Sequence, residues 1–225
     1  GALAGRESGS FLAPTRRTPM QDWHEEAGAA FVPAGLWRRP HYYPKPGESP
    51  VDAVNREVLA VRQGVGIVDV STLGRIDLHG ADVAEFLNRV YINGFKTLAI
   101  GMCRYGVMLR DDGRIFDDGT IARMADNHYI MTTTTANAGP VMAHLEYYLQ
   151  VVWPDLEVHA ASITDQWAVA AVAGPRSRDL LDKLDSDIEF ANQAMPFMAW
   201  RDGHMGGITA QVFRISFSGE LAYEV

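Results

Sequence analysis

Arg104-Tyr-Gly-Val-Met-Leu-Arg-Asp-Asp-Gly-Arg-Ile-Phe-Asp-Asp-Gly-Thr-Ile-Ala-Arg-Met124 is where the periodicity of this chain changes from helical to extended. Residues 104–110 alternate as a half-buried strand does, and Asp111-Asp112-Gly113 is a strong turn signal. Residues 114–116, 120–124 and 128–133 read as further short strands. Strands that follow one another through tight turns form a meander, so antiparallel pairing is expected.

Upstream, Ser49-Pro50-Val51-Asp52 reads as a helix start: Ser49 caps, Pro50 suits the first helical position, and Asp52 favours the positive end. Val51, Val54, Val58 and Val61 fall on one helical face, and Gly64 is the expected stop. Residues 66–70 and 75–79 read as strands around the turn Ser71–Gly74. Gly80-Ala-Asp82 introduces a helix that buries Val83, Phe86 and Leu87. Downstream, a helix is expected over 138–151 with Val141, Leu145 and Leu149 inward. Residues 157–164 and 167–173 are expected to pair, a helix to run from Gly174-Pro175 to Leu184, and strands to resume near Phe197 and over 207–217. Clusters of antiparallel strands separated by single helices give an α+β class, antiparallel sheets with packed helices, and not a doubly wound parallel sheet. Residues 1–20 read as a linker, 21–48 as an ordered arm whose prolines limit regular structure, and 49–225 as the main domain.

Composition narrows the function classes. With 225 residues, 47% of them apolar, the chain buries roughly 70% of its unfolded surface without disulfides or metal. Its net charge of −8 lacks the basic footprint that nucleic acid demands. No apolar run approaches the roughly 18 residues of a membrane span. The single cysteine, Cys103, fits a reducing compartment, and a cytoplasmic location is expected. The opening Gly-Ala-Leu-Ala-Gly is not read as a signal peptide, and both ends read as cuts from a longer chain.

No pair among the seven histidines has the spacing of a metal site, and no phosphate-binding glycine loop or dinucleotide fingerprint is present, so no metal is expected. Three features could carry chemistry. In Asp117-Asp118-Gly119, adjacent strand residues face opposite sides, so one carboxylate could enter a cavity and relay a proton. A second Asp-Gly turn is the preferred reading on pattern alone. Thr132–Thr135 reads as a strand end plus helix cap, with pocket-lining donors as the sharper alternative. Glu220, after Ser218-Gly219, is an exposed turn residue or a carboxylate that accepts paired N–H bonds.

Several ordered runs carry a resemblance: Arg56-Glu57; Val65-Gly-Ile-Val-Asp-Val-Ser-Thr-Leu-Gly74; Gly80-Ala-Asp-Val-Ala-Glu-Phe-Leu-Asn88; Tyr105-Gly-Val-Met-Leu109; Asp112-Gly113 to Asp117-Asp118; Val172-Ala-Gly-Pro175; and Phe217-Ser-Gly-Glu220. Individually weak, they are specific in this order and spacing. The chain resembles the glycine-cleavage T-protein (aminomethyltransferase) family. Trp37-Arg-Arg-Pro-His-Tyr-Tyr-Pro44, Phe116–Gly119 and Thr132–Thr135 resemble the α subunits of heterotetrameric sarcosine oxidases within it.

The resemblance implies a T-protein-like fold cut before its C-terminal barrel, with a tetrahydrofolate site at its centre. It implies Asp118 as the catalytic carboxylate, Tyr105 beside the pterin, Glu220 holding the pterin ring, and Thr133 as a backbone contact. It also implies a hetero-oligomer with other sarcosine oxidase subunits, and flavin and NAD elsewhere in that complex. The alternatives are a stand-alone folate-dependent aminomethyltransferase or demethylase, and a non-catalytic module for folate binding or subunit docking.

Overall fold

The computed structural model describes residues 16–225. The linker expected over 1–20 lies outside them as far as residue 15. Arg16 is already packed, bridging Trp37 and stacking its guanidinium 4.0 Å from that ring.

The elements run α1 (Gln21–Glu26), β1 (Ala30–Ala34), β2 (Trp37–Tyr42), α2 (Pro50–Gln63), β3 (Gly66–Asp69), β4 (Gly74–His79), α3 (Val83–Val90), β5 (Cys103–Leu109), β6 (Ile115–Ala125), β7 (His128–Thr133), α4 (Ala138–Tyr147), β8 (His159–Ser162), β9 (Ala170–Ala173), α5 (Ser177–Leu181), β10 (Trp200–Met205), β11 (Ile208–Phe213) and β12 (Ala222–Glu224). One five-stranded sheet has the order β5-β6-β7-β4-β8, a second β10-β11-β12-β9-β3, and β1-β2 form a separate hairpin. All strand pairs are antiparallel. The α+β expectation and the β5–β7 meander hold.

Alternation along the strands covers the first sheet on both faces. Ile121, Tyr129 and Met131 point toward Phe86 and Leu87 of α3 and Val141 and Leu145 of α4. Their neighbours Ala122, Met124 and Ile130 point the other way, onto Cys103, Trp200 and Ile215. The second sheet has its own core, in which Val172, Val212 and Tyr223 pack on Leu181 and Phe190. No helix among the described residues is long and apolar enough to cross a membrane.

Several expectations are corrected. The strands read separately at 114–116 and 120–124 are one strand, so Asp117-Asp118-Gly119 is not a turn. The reason lies across the sheet: a Cβ on Gly119 would sit 2.0 Å from the Thr132 carbonyl oxygen, so glycine here admits close approach of β7. The turn Ser71–Gly74 carries the chain from one sheet to the other, since β3 pairs with β9 and β4 with β7 and β8. For the same reason β8 and β9 do not pair with each other. The helix expected to reach Leu184 ends at Leu181, and Phe197 lies outside any strand, with β10 beginning at Trp200.

The arm is more regular than its prolines suggested. It forms α1 and a hairpin in which Pro33 opposes Arg38 and Pro40 opposes Phe31. A two-stranded ribbon has two outer edges, where a missing N–H is tolerated. Helix α2 starts as expected, with a capping box between Ser49 and Asp52. Its valine stripe is not a buried face, however: Val51 and Val58 are exposed and Ala53 is the helix's buried residue.

Candidate functional site

The four candidate residues fall into three situations. Tyr105 on β5 opposes Thr120, and Asp118 on β6 opposes Val107. The two are therefore diagonal neighbours on one face of the sheet. The Tyr105 hydroxyl donates to Asp118 Oδ2 at 2.8 Å. This bond, with burial and the negative charge of Asp118 adding to it, raises the phenol above its ordinary value, so Tyr105 stays protonated. Tyr105 is half exposed and is the one hydrogen-bond partner of the Asp118 carboxylate among the described residues. The carboxylate is partly exposed, and no side chain or backbone donor among the described residues bonds its second oxygen.

Asp117 has the opposite role because it faces the other way. It is buried and accepts from the Thr134 N–H at 3.2 Å, the Thr134 hydroxyl at 2.6 Å and Asn137 Nδ2 at 3.2 Å. These bonds tie β6 to the loop that enters α4. They also correct the cap reading of the threonine run: Asn137 occupies the cap position of α4 with no side-chain cap, and Thr134 binds Asp117 instead. Tyr91 lies near this pair; its burial, then the Asp117 and Asp118 charges, raise its phenol strongly.

Thr133 is buried, and its hydroxyl donates to the Thr134 carbonyl at 3.0 Å. Its backbone opposes Gly74, where an added Cβ would meet the Thr133 hydroxyl at 2.1 Å. At 1% exposure, neither the side chain nor the main chain of Thr133 is open to the surface. Glu220 lies in the bend that leads into β12 of the second sheet. Its Oε1 accepts from Arg62 of α2 at 2.6 Å, and Arg62 also reaches the Ser218 carbonyl. No hydrogen bond or ion pair among the described residues joins Glu220 to Tyr105, Asp118 or Thr133. A broad hollow of about 550 Å³ elsewhere, lined by Arg178, Asp182, Ile188, Phe190 and Asn192, contains none of the four.

Thr134, Asn137 and Arg62 are the residues that sequence reasoning did not single out. Thr134 lay inside the quoted threonine run, but nothing local marks it as a partner of Asp117.

The sequence profile of the GCVT N-terminal domain matches residues 20–225. The chain belongs to this family. It is 52% identical over 225 residues to the sarcosine oxidase subunit alpha of Corynebacterium sp. (strain U-96), all of this chain aligning with 23% of that protein. The same subunit of Rhizobium meliloti (strain 1021) is also 52% identical, again over 23% of its length. The aminomethyltransferase of Thermotoga neapolitana is 29% identical over 212 residues, 93% of this chain and 54% of that protein. The chain thus spans about a quarter of the sarcosine oxidase subunits and about half of the aminomethyltransferase. In fold, this GCVT domain superposes on the aminomethyltransferase T of Bartonella henselae with a TM-score of 0.75 at 24% identity, over 93% of this chain and 52% of that one. The T-protein-like architecture is therefore present, matching part of the larger structure.

Proposed function

We propose that this GCVT domain is the tetrahydrofolate-binding part of a sarcosine oxidase α subunit, and that it captures the imine formed when a flavin elsewhere in the complex oxidises sarcosine, transferring its one-carbon unit to give 5,10-methylenetetrahydrofolate and releasing glycine. The observation that carries this reading is the Tyr105–Asp118 pair: an outward-facing carboxylate oriented by one phenol, beside a buried carboxylate committed to structure. The 52% identity to sarcosine oxidase α subunits over the whole chain supports the choice of complex. Other subunits, flavin and NAD are proposed for the same complex, beyond this chain.

The residues present fit a folate. A pterin offers N–H donors and protonatable nitrogens, and Asp118 presents an acceptor oxygen with a neutral aromatic ring beside it. Glu220 fits less directly, because Arg62 already occupies one of its oxygens. It would hold the ring through the other oxygen or by releasing Arg62.

Tetrahydrofolate, when bound, supplies the nitrogens that take up the one-carbon unit. The chain supplies position and proton handling. Tyr105, held protonated, fixes the rotamer of Asp118 through Oδ2, which leaves Oδ1 to accept and return a proton at the reacting nitrogens. Asp117, Thr134 and Asn137 keep the backbone beneath that carboxylate rigid. A positioned proton acceptor of this kind contributes about 10²–10⁴-fold in rate. The test is Asp118→Ala in the full complex. Sarcosine oxidation should continue while the yield of methylenetetrahydrofolate collapses. A wild-type yield would remove Asp118 from the role.

A further inference from the structure

Three strands of the helix-backed sheet gather groups that lie far apart in sequence. His79 on β4 is in register with His128 on β7, and with His159 on its other flank, on β8. Opposed residues of an antiparallel pair share a face. Asp77, two residues before His79, projects from that face as well. His79 Nε2 lies 2.9 Å from Asp77 Oδ2, and His128 Nε2 lies 2.6 Å from Asp77 Oδ1. The two imidazoles stack with centroids 4.0 Å apart and planes 15° from parallel. One ligand atom from each of the three residues lies within 4.8 Å of the others.

We propose that Asp77, His79 and His128 form a binding site for a late first-row divalent cation such as Zn(II), with water completing its coordination. Two imidazole nitrogens and one carboxylate oxygen, with positions left open, are a donor set that such ions favour. Both Nε2 atoms already lie within hydrogen-bond distance of a single carboxylate, one at each of its oxygens. Bonds of about 2.0–2.2 Å would require the widest pair of ligand atoms to close by roughly 1.5 Å. Side-chain exposures of 54% for His79, 29% for His128 and 23% for Asp77 leave room for that rotation.

The backbone register already places the three side chains side by side on one face, so side-chain rotation is the movement that remains when the ion arrives. The site is remote from the folate reading and independent of it. His128 and Thr133 are opposite ends of β7, roughly 16 Å apart at a strand's rise per residue. An ion here would tie β4 to β7 one strand in from the sheet edge formed by β8.

The test is a titration of the metal-free full-length protein with Co(II), followed by its visible d–d bands, and compared with the His79→Ala/His128→Ala variant. Wild type should bind one equivalent that the variant has lost, with a spectrum of low-symmetry nitrogen and oxygen ligation. Should the double variant not fold, His79→Gln decides. It keeps the shape and a donor toward Asp77 but removes a ligand, and Co(II) affinity should fall about tenfold or more. Superimposable titrations of wild type and either variant, or a wild type that takes up no Co(II), would overturn the site and leave Asp77 as a plain hydrogen-bond acceptor for two histidines.

Discussion

Tyr105 and Asp118 meet at 2.8 Å as diagonal, same-face neighbours of the β5–β6 pair. That relationship makes the state of one group depend on the other. The Tyr105 phenol is raised by its bond to Asp118, so Asp118→Asn should bring its ionisation back toward the ordinary value. The sign follows from linkage: a group raised in the folded state adds stability below its unfolded value, and loses it as pH rises through the folded one. An alkaline difference titration, with Tyr105→Phe as the blank, reads the shift. An unchanged Tyr105 curve in Asp118→Asn would mean that the bond is not formed in solution.

Gly119 follows Asp118 directly, and the Thr132 carbonyl occupies the space of its missing side chain. Gly119→Ala should therefore push β7 away from β6, destabilise the chain by about 1–3 kcal/mol, and weaken folate binding through displacement of Asp118. Chemical denaturation and calorimetry with tetrahydrofolate check the two effects. Wild-type values in both would contradict the close approach.

The arm is held to the domain by His24, whose Nε2 lies 2.9 Å from Asp69 Oδ2 and whose Nδ1 lies 2.6 Å from the Tyr43 hydroxyl. Burial alone would push the Asp69 carboxyl up. Hydrogen bonds, among them those from Ser71 and His24, outweigh it and leave the group lowered. Its contribution is present above the unfolded value and is lost as pH falls through the folded one, so the attachment should fail in acid. His24→Ala leaves a buried carboxylate short of a donor and should cost about 3 kcal/mol. Limited proteolysis should then cut within residues 16–48 at neutral pH. Resistance equal to wild type would show that the arm is anchored by other contacts.

Buried Arg75 and partly buried Glu224 pair at 3.5 Å between the two sheets. Burial raises Glu224 in spite of the Arg75 charge, and burial also lowers Arg75, so desolvation outweighs their attraction on both sides. Arg75→Leu alone should cost about 3–5 kcal/mol by orphaning the carboxylate. The double variant Arg75→Leu/Glu224→Leu should recover most of that loss. A double-mutant cycle by urea denaturation measures the coupling, and strictly additive losses would refute it.

Much of the fold was legible because its signals are local. The helix start at Ser49–Asp52 and the turn at Asp111–Gly113 are written in neighbouring residues. What escaped was non-local. Asp117-Asp118-Gly119 carries turn chemistry, yet it lies mid-strand because Thr132 and Thr134 dictate its geometry from β7 and the loop beyond. The valine periodicity of α2 marks a stripe but cannot say whether anything covers it. Strands β8 and β9 are close in sequence, but each found partners elsewhere. His79 and His128 are 49 positions apart, so no spacing rule could join them. The family resemblance singled out Asp118, whereas the face on which it projects came from the strand pairing.

Asp117 also guards against a specific error of folding. Side chains alternate along β6, so a slip of one residue would swap Asp117 with Asp118. Asp117 would then hang outside the sheet, and the three donors from Thr134 and Asn137 would face the wrong backbone. The register irregularity at Met108–Leu109 marks the same end of the strand. The buried carboxylate is thus a proofreading device: it penalises misaligned chains, and Asp117→Ala should release a mixture of registers in which only some molecules present Asp118 outward.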